Sequence, residues 1–215
     1  NLDTEADDEI DIGCAGGIDV TATQNYGLED ARGQIVKIEV KGLQGGHSGM
    51  DIIKGFGNSN VILGRLLYTG LYNQNIQLIS IDGGGLRNAI PREANAVYSV
   101  EFIEQVTALK KEILEEFASV EKDLHINIET FSSAEKAISE EDSRKIILAL
   151  KSAHNGVYRM SPDVEDLVES SNNIARVELK QGELKILNLS RSSVESTKYA
   201  VAEQLKSVFE LAGMK

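Results

Sequence analysis

The sequence predicts an α+β fold, a two-layer sandwich in which a largely antiparallel sheet carries helices on one face, built from two ferredoxin-like βαββα repeats. Three observations lead there. Apolar residues alternate in short runs and recur at helical spacing in longer ones. The runs follow one another as strand, helix, strand, strand, helix, first over about 35–120 and again over about 124–212. Consecutive strands are joined by short turns, which makes the sheet largely antiparallel and keeps the helices on one side.

Each element has its own signal. Residues 34–40 carry Ile35, Val36, Ile38 and Val40 among polar residues, a strand pattern. Residues 58–73 form a helix whose broad apolar face is Val61, Ile62, Leu63, Leu66, Leu67 and Leu71, with Asn73 able to end it. Residues 76–81 are a strand closed by Asp82-Gly83-Gly84-Gly85. Residues 87–91 are a loop, because Pro91 disfavours helical geometry in the residue before it. Residues 94–103 alternate through Ala96, Tyr98, Val100 and Phe102, and 104–120 form a helix with Val106, Leu109, Ile113, Phe117 and Val120 on one face.

The second run repeats the order. Residues 124–131 alternate as a strand. Ser139-Glu140-Glu141-Asp142 reads as a capped helix start, Ile146, Ile147, Leu150 and Ala153 carry the face, and Asn155-Gly156 stops it. His154 falls at that C-terminus, where an imidazolium suits the helix dipole, and His125 falls at a strand start as a structural or exposed residue. Residues 172–179 and 184–190 are strands joined by a tight turn at Gln181-Gly182. Residues 194–211 are a helix with Val194, Tyr199, Val201, Ala202, Leu205, Val208 and Phe209 inward, capped by Gly213.

Composition bounds the function. The 215 residues suit one domain or two small subdomains. A net charge of −12 leaves no basic stripe for nucleic acid or an anionic membrane surface. No apolar run reaches the roughly 18 residues that cross a bilayer, and no signal peptide opens the chain. The single cysteine, Cys14, reads as a small buried side chain, and a reducing cytoplasm is the expected setting. Asp3, Glu5, Asp7, Asp8, Glu9 and Asp11 form an acidic run that lacks the glycine and closing glutamate of a calcium loop; past Glu5 it reads as solvated.

The stretch that carries chemistry is Gly42-Leu43-Gln44-Gly45-Gly46-His47-Ser48-Gly49-Met50-Asp51. Four glycines surround one histidine at the end of a strand, which places the imidazole on a tight, bare loop. It can serve as a general acid or base, a metal ligand, or a hydrogen-bond donor to developing negative charge. Ser48 is not a nucleophile of the Gly-x-Ser-x-Gly kind, and the glycine loops lack the Lys-Ser/Thr of a phosphate cradle.

Gly42–Asp51, together with the segment from Gly83 to Ala94 (GGGLRNAIPREA), resembles the lid region of the aminoacyl-histidine dipeptidases, carnosinase-like enzymes of the M20 metallopeptidase family. Asn1-Leu2-Asp3-Thr4-Glu5 and Ile12-Gly13-Cys14-Ala15-Gly16-Gly17 extend the likeness, and Asn188-Leu189-Ser190-Arg191-Ser192-Ser193 does so more weakly. The resemblance implies that residues 1–26 are a stub of the catalytic domain with its crossover and that 27–215 are the lid and dimerisation domain. It implies that His47 polarises the scissile carbonyl of a dipeptide, typically in the partner subunit of a homodimer. Asn88 and Arg191 would hold the substrate, Arg191 at its terminal carboxylate, and Asp3 would be one ligand of two zinc ions. A two-metal site needs about five or six His, Asp and Glu ligands. The three histidines here stand apart in sequence, so an excised lid, inactive alone and binding no metal tightly, is expected. Dipeptides and the catalytic domain of the same protein are the expected partners. A non-catalytic ferredoxin-like dimerisation or binding module, or the lid of an M20 aminoacylase or tripeptidase, are the alternatives.

Overall fold

The structure, a computed structural model, describes residues 15–71, 74–133 and 135–215. Asp3, the acidic run, Cys14 and the proposed helix stop Asn73 lie outside the described residues. In chain order the elements are β1 Gly16–Asn25, β2 Glu29–Asp30, β3 Gln34–Lys41, β4 Gly46–His47, α1 Ser59–Gly70, β5 Gln77–Gly84, β6 Ala89–Ile90, β7 Ala94–Val100 and α2 Glu104–Phe117. There follow β8 His125–Phe131, β9 Lys136–Ala137, α3 Glu140–Ser152, β10 Gly156–Met160, β11 Val168–Lys180, β12 Glu183–Ser192 and α4 Glu195–Leu211.

One antiparallel sheet runs β1-β12-β11-β5-β7-β3-β8, with β10 alongside β11. The helices share one face: α1 lies on β3, β5, β7 and β11, α4 on β1, β11 and β12, and α2 and α3 flank α1. Alternation along β3 sends Val36, Ile38 and Val40 into a core shared with Ile62, Leu66 and Leu67 of α1 and with Leu78 and Tyr98. The opposite face of β3 carries Lys37, Glu39 and Lys41, joined by ion pairs of 2.8 and 3.3 Å.

The strands of the two βαββα runs are not dealt evenly. β8, the first strand of the second run, pairs with β3 of the first, so a complete split βαβ unit, βαββαβ, spans 34–131. β1 fills the corresponding place beside β12, paired from Gly16↔Ser192 to Asn25↔Glu183. The strand expected to close at Ile81 continues through Gly84. A Cβ on Gly83 would stand 2.0 Å from Asn60 Oδ1 and 2.8 Å from Ala94 Cβ, so glycine is what lets the start of α1 press against the sheet. Gln181 and Gly182 both have positive φ, 52° and 82°, as a two-residue hairpin turn requires. Val194 and Tyr199, expected inward, are 39% and 48% exposed; Val194 is the N-cap residue of α4, which lies over β1, β12 and β11 at the end of the sheet. The five short strands β2, β4, β6, β9 and β10 carry no periodic signal and are visible only in three dimensions.

β11 is where the sheet is built differently. One of its edges pairs with β12. The other is shared: β5 takes residues 176–179 and β10 takes residues 168–172. Between them the main chain of Ile174 and Ala175 meets no strand, and a bulge follows Ile174. Buried main-chain groups need partners, and here side-chain amides supply them. Ile174 N–H donates to Asn155 Oδ1 (2.9 Å), and Ile174 O accepts from Asn58 Nδ2 (3.2 Å) and Asn60 Nδ2 (3.0 Å). Ala175 O accepts from the backbone N–H of Gly85 at 3.1 Å. Asn58 also caps α1, its Oδ1 accepting from the N–H groups of Asn60 and Val61.

Asn58→Ala removes both the cap and a gap-filling donor. A cap contributes about 1 kcal/mol and a buried group left unpaired costs about 1–3 kcal/mol, so urea unfolding should show a loss of about 2–4 kcal/mol. Asn58→Ser, which restores the cap alone, should recover about 1 kcal/mol of it.

Candidate functional site

The histidine expected on a bare loop sits in a short ladder instead. β4 pairs with β6 through Gly46↔Ile90 and His47↔Ala89, and Ser48 N–H donates to Asn88 O at 2.8 Å. Beyond His47 the chain closes on itself. Asp51 N–H donates to His47 O (2.9 Å), and His47 N–H donates to Asp51 Oδ2 (2.7 Å). The Lys54 ammonium, 2.6 Å from Asp51 Oδ1, and then the His47 N–H hold this carboxyl below the usual carboxylate range. Met50 N–H lies 3.4 Å from His47 Nδ1. With Nδ1 as acceptor, the neutral ring carries its proton on Nε2 and presents it as a donor.

Arg191 comes from the other half of the chain. Along β12, Leu184 and Ile186 point toward the helices, so Leu187, Leu189 and Arg191 lie on the helix-free face. The His47 ring and the Arg191 side chain meet over Gly49: a Cβ there would stand 3.3 Å from His47 Cε1 and 3.4 Å from Arg191 Cδ and Nε. Any larger residue would press on both groups. Arg191 Nε is buried and has no hydrogen-bond partner, an arrangement that costs free energy until an acceptor arrives. Asn88 is exposed in the adjoining ribbon, its main chain bonded to Ser48.

Four further residues hold the ribbon. The Glu121 carboxylate, 2% exposed, accepts from Gln44 N–H (2.8 Å) through one oxygen and from Gly57 N–H (2.7 Å) through the other, pinning both ends of the His47 loop. Arg92 Nε donates to Leu43 O at 3.1 Å. Arg87 donates to Asn188 O (2.9 Å) and Thr21 Oγ1 (2.7 Å) and pairs with Asp19 at 3.4 Å, which fastens the loop before β6 across β12 and β1. Asn173 Nδ2 donates to Arg87 O (3.0 Å) and Ala89 O (2.8 Å). Glu121 and Asn173 give no motif in sequence. The one available signal is the polar run Ser170-Ser171-Asn172-Asn173 inside a buried central strand.

The other histidines stand apart from this cluster. His125 is exposed on the far edge strand β8, its Nδ1 3.0 Å from Asp123 O. His154 Nε2 is buried without a hydrogen-bond partner, and its ring meets Tyr158 edge-on at 5.2 Å. Among the described residues no group of three or more His, Cys, Asp or Glu is arranged to hold a metal ion. These residues therefore do not fit a metal centre, and Asp3 lies outside them.

Residues 38–125 match the family model of the M20 peptidase dimerisation domain. Residues 38–125 are thus a dimerisation domain of the M20 peptidase kind. The matched span takes in His47 and Asn88 and stops short of Arg191. The whole chain is 38% identical, over 224 aligned residues, to the cytosol non-specific dipeptidase of Escherichia coli (strain K12). It covers 46% of that protein. A crystal structure of aminoacylhistidine dipeptidase from Vibrio alginolyticus superposes with a TM-score of 0.88 at 35% identity, over 95% of this chain and 43% of that one. The chain thus spans a little under half the length of each of these two proteins. No helix among the described residues is long and apolar enough to cross a membrane.

Two outcomes follow for the His47 loop. Glu121→Ala leaves the Gln44 and Gly57 N–H groups unpaired; hydrogen bonds to a charged group are worth about 1.5–3 kcal/mol, so stability should fall by about that much. Amide exchange should quicken at Gln44 and Gly57 before the core strands. Asp51 has a lowered folded-state pKa, so its contribution is present above the unfolded carboxylate range and is lost as pH falls through the folded value. The exchange protection of the His47 amide should be flat near neutrality and decline below about pH 4. In Asp51→Asn that decline should disappear.

Proposed function

We propose that this chain is the lid and dimerisation region of a metal-dependent dipeptidase, and that it supplies contacts to the reacting carbonyl and to the substrate's carboxylate. What carries the reading is the meeting of His47 and Arg191 over Gly49 on the helix-free face, with the guanidinium Nε buried and unpartnered. Hydrolysis of a peptide bond passes through a tetrahedral oxyanion, and one preorganised donor there contributes roughly 3 kcal/mol. His47, protonated on Nε2, is that donor. Arg191 holds the free terminal carboxylate, a partner for which a guanidinium fork is suited. Asn88, exposed in the ribbon beside them, contacts the substrate main chain.

The dimerisation family and the names of the relatives support the wider assignment. The parent protein acts as a homodimer in the cytoplasm on dipeptides, with Xaa-His dipeptides of the carnosine kind among them. Two zinc ions, with Asp3 as one ligand, would belong to a catalytic domain joined to this lid through residues 1–26, of which β1 is also the edge strand of the lid sheet. When bound, they would supply Lewis-acid polarisation of the scissile carbonyl. The residues of this chain orient the dipeptide, keep its carboxylate in register and place a proton donor at the carbonyl oxygen.

In the full-length enzyme His47→Ala should lower kcat by about a hundredfold or more, the loss expected for one oxyanion donor. Arg191→Ala should abolish the preference for a free over an amidated C-terminus. Unchanged kcat in the first variant, or equal rates on free and amidated dipeptides in the wild type, would favour a non-catalytic binding module.

A further inference from the structure

We infer that Asn173 is a positioning residue for this site: its carboxamide locks the main chain on either side of Asn88 and thereby sets where β6, and His47 on the β4 strand paired with it, sit over Arg191. The inference rests on the reading of His47 as the oxyanion donor. Asn173 lies on β11, directly opposite Leu189 of β12, and so on the same helix-free face as Arg191 two residues further along. It is 1% exposed. Its Nδ2 has two protons and uses both, one on Arg87 O at 3.0 Å and one on Ala89 O at 2.8 Å. Its Oδ1 accepts from Asn58 Nδ2 at 3.1 Å, which fixes the amide orientation.

The two carbonyls belong to the 87–88 and 89–90 peptides, which bracket the 88–89 peptide that carries Asn88 O, so the turn through Asn88 is held from both sides. Asn88 O is then aimed at Ser48 N–H, the group immediately following His47. The β4–β6 ladder has two residue pairs, Gly46↔Ile90 and His47↔Ala89, too little to fix its own position. Its placement depends on the anchors at its margins. Glu121 holds the loop that bears β4, and Asn173 holds the strand opposite. Because Asn173 belongs to the second half of the chain, it ties the ribbon with His47 and Asn88 to the strand pair that bears Arg191. A neutral amide suits the task, since the buried Asn173 side chain satisfies two partly buried carbonyls without burying a charge.

Asn173→Asp is the incisive variant. It keeps the volume and the acceptor for Asn58 while turning an oxygen toward two carbonyl oxygens. Asn173→Ser, with a single donor in less space, is the milder one. Deuterium uptake in the full-length enzyme should rise at least tenfold at 45–51 and 86–91 in Asn173→Asp, less in Asn173→Ser, and stay unchanged in β3, β7 and β8. The kcat should fall at least tenfold while KM moves less than twofold. In a His47→Ala background the same substitution should change kcat less than twofold, because the part it acts through is gone. Unchanged uptake at 45–51 and 86–91 overturns the proposal, as does a rise across the whole sheet, which would mark Asn173 as a fold residue only. A kcat loss that multiplies undiminished onto His47→Ala also overturns it. If His47→Ala alone leaves kcat intact, the oxyanion reading fails, and the uptake measurement still decides whether Asn173 anchors the ribbon.

Discussion

The site depends on how the main chain of Ile174 is satisfied. β11 has one edge shared between two strands that do not meet, and the peptide groups left in the gap cannot remain bare inside the protein. Asn58, Asn60 and Asn155 reach them from the start of α1 and the end of α3. A third strand would have been simpler, but it would have sealed the sheet. The gap instead admits the loop from Gly85 to Pro91, whose first amide bonds Ala175 O, onto the face that carries Arg191.

That arrangement is made of neutral amides wherever it is deepest. A buried ion needs a well-placed counter-charge to offset its desolvation, whereas an asparagine has two donors and an acceptor that can be matched one by one. The exception is Glu121, and its carboxylate is met by an N–H on each oxygen. Away from this seam Glu169 is buried too, beside Arg159 and Thr197, and the charged groups around the His47 ribbon do their work nearer the surface. Arg87 clamps a loop across two strands, and Lys54 keeps Asp51 ionised beneath His47.

The candidate chemistry is assembled from both halves of the chain. His47 and Asn88 lie within the matched dimerisation domain, and Arg191 lies beyond it. The antiparallel pairing of β5 with β11 brings the halves into one sheet, and the ribbon of β4 and β6 then overlies the second half. The catalytic proposal therefore concerns residues about 140 positions apart whose juxtaposition rests on a few hydrogen bonds at the seam.

Alternating and helical spacing determined the sequence-level outline: strands at 34–40, 94–103 and 184–190, four helices, the Ser139 cap and the Gln181-Gly182 turn; the second of these strands stops at Val100 and leaves Phe102 exposed. Each is a local choice, set by side-chain period, capping oxygen or tolerance of positive φ, and each is legible in a window of a few residues. The glycine-flanked His47 was legible for the same reason, and the resemblance brought in Asn88 and Arg191. The pairing of β8 with β3, the ladder under His47, the meeting with Arg191 over Gly49 and the anchors Glu121 and Asn173 were decided by the tertiary structure. They join groups far apart in the chain, and whether a buried amide or carboxylate is needed at a point depends on which main-chain groups the folded sheet leaves without a neighbour.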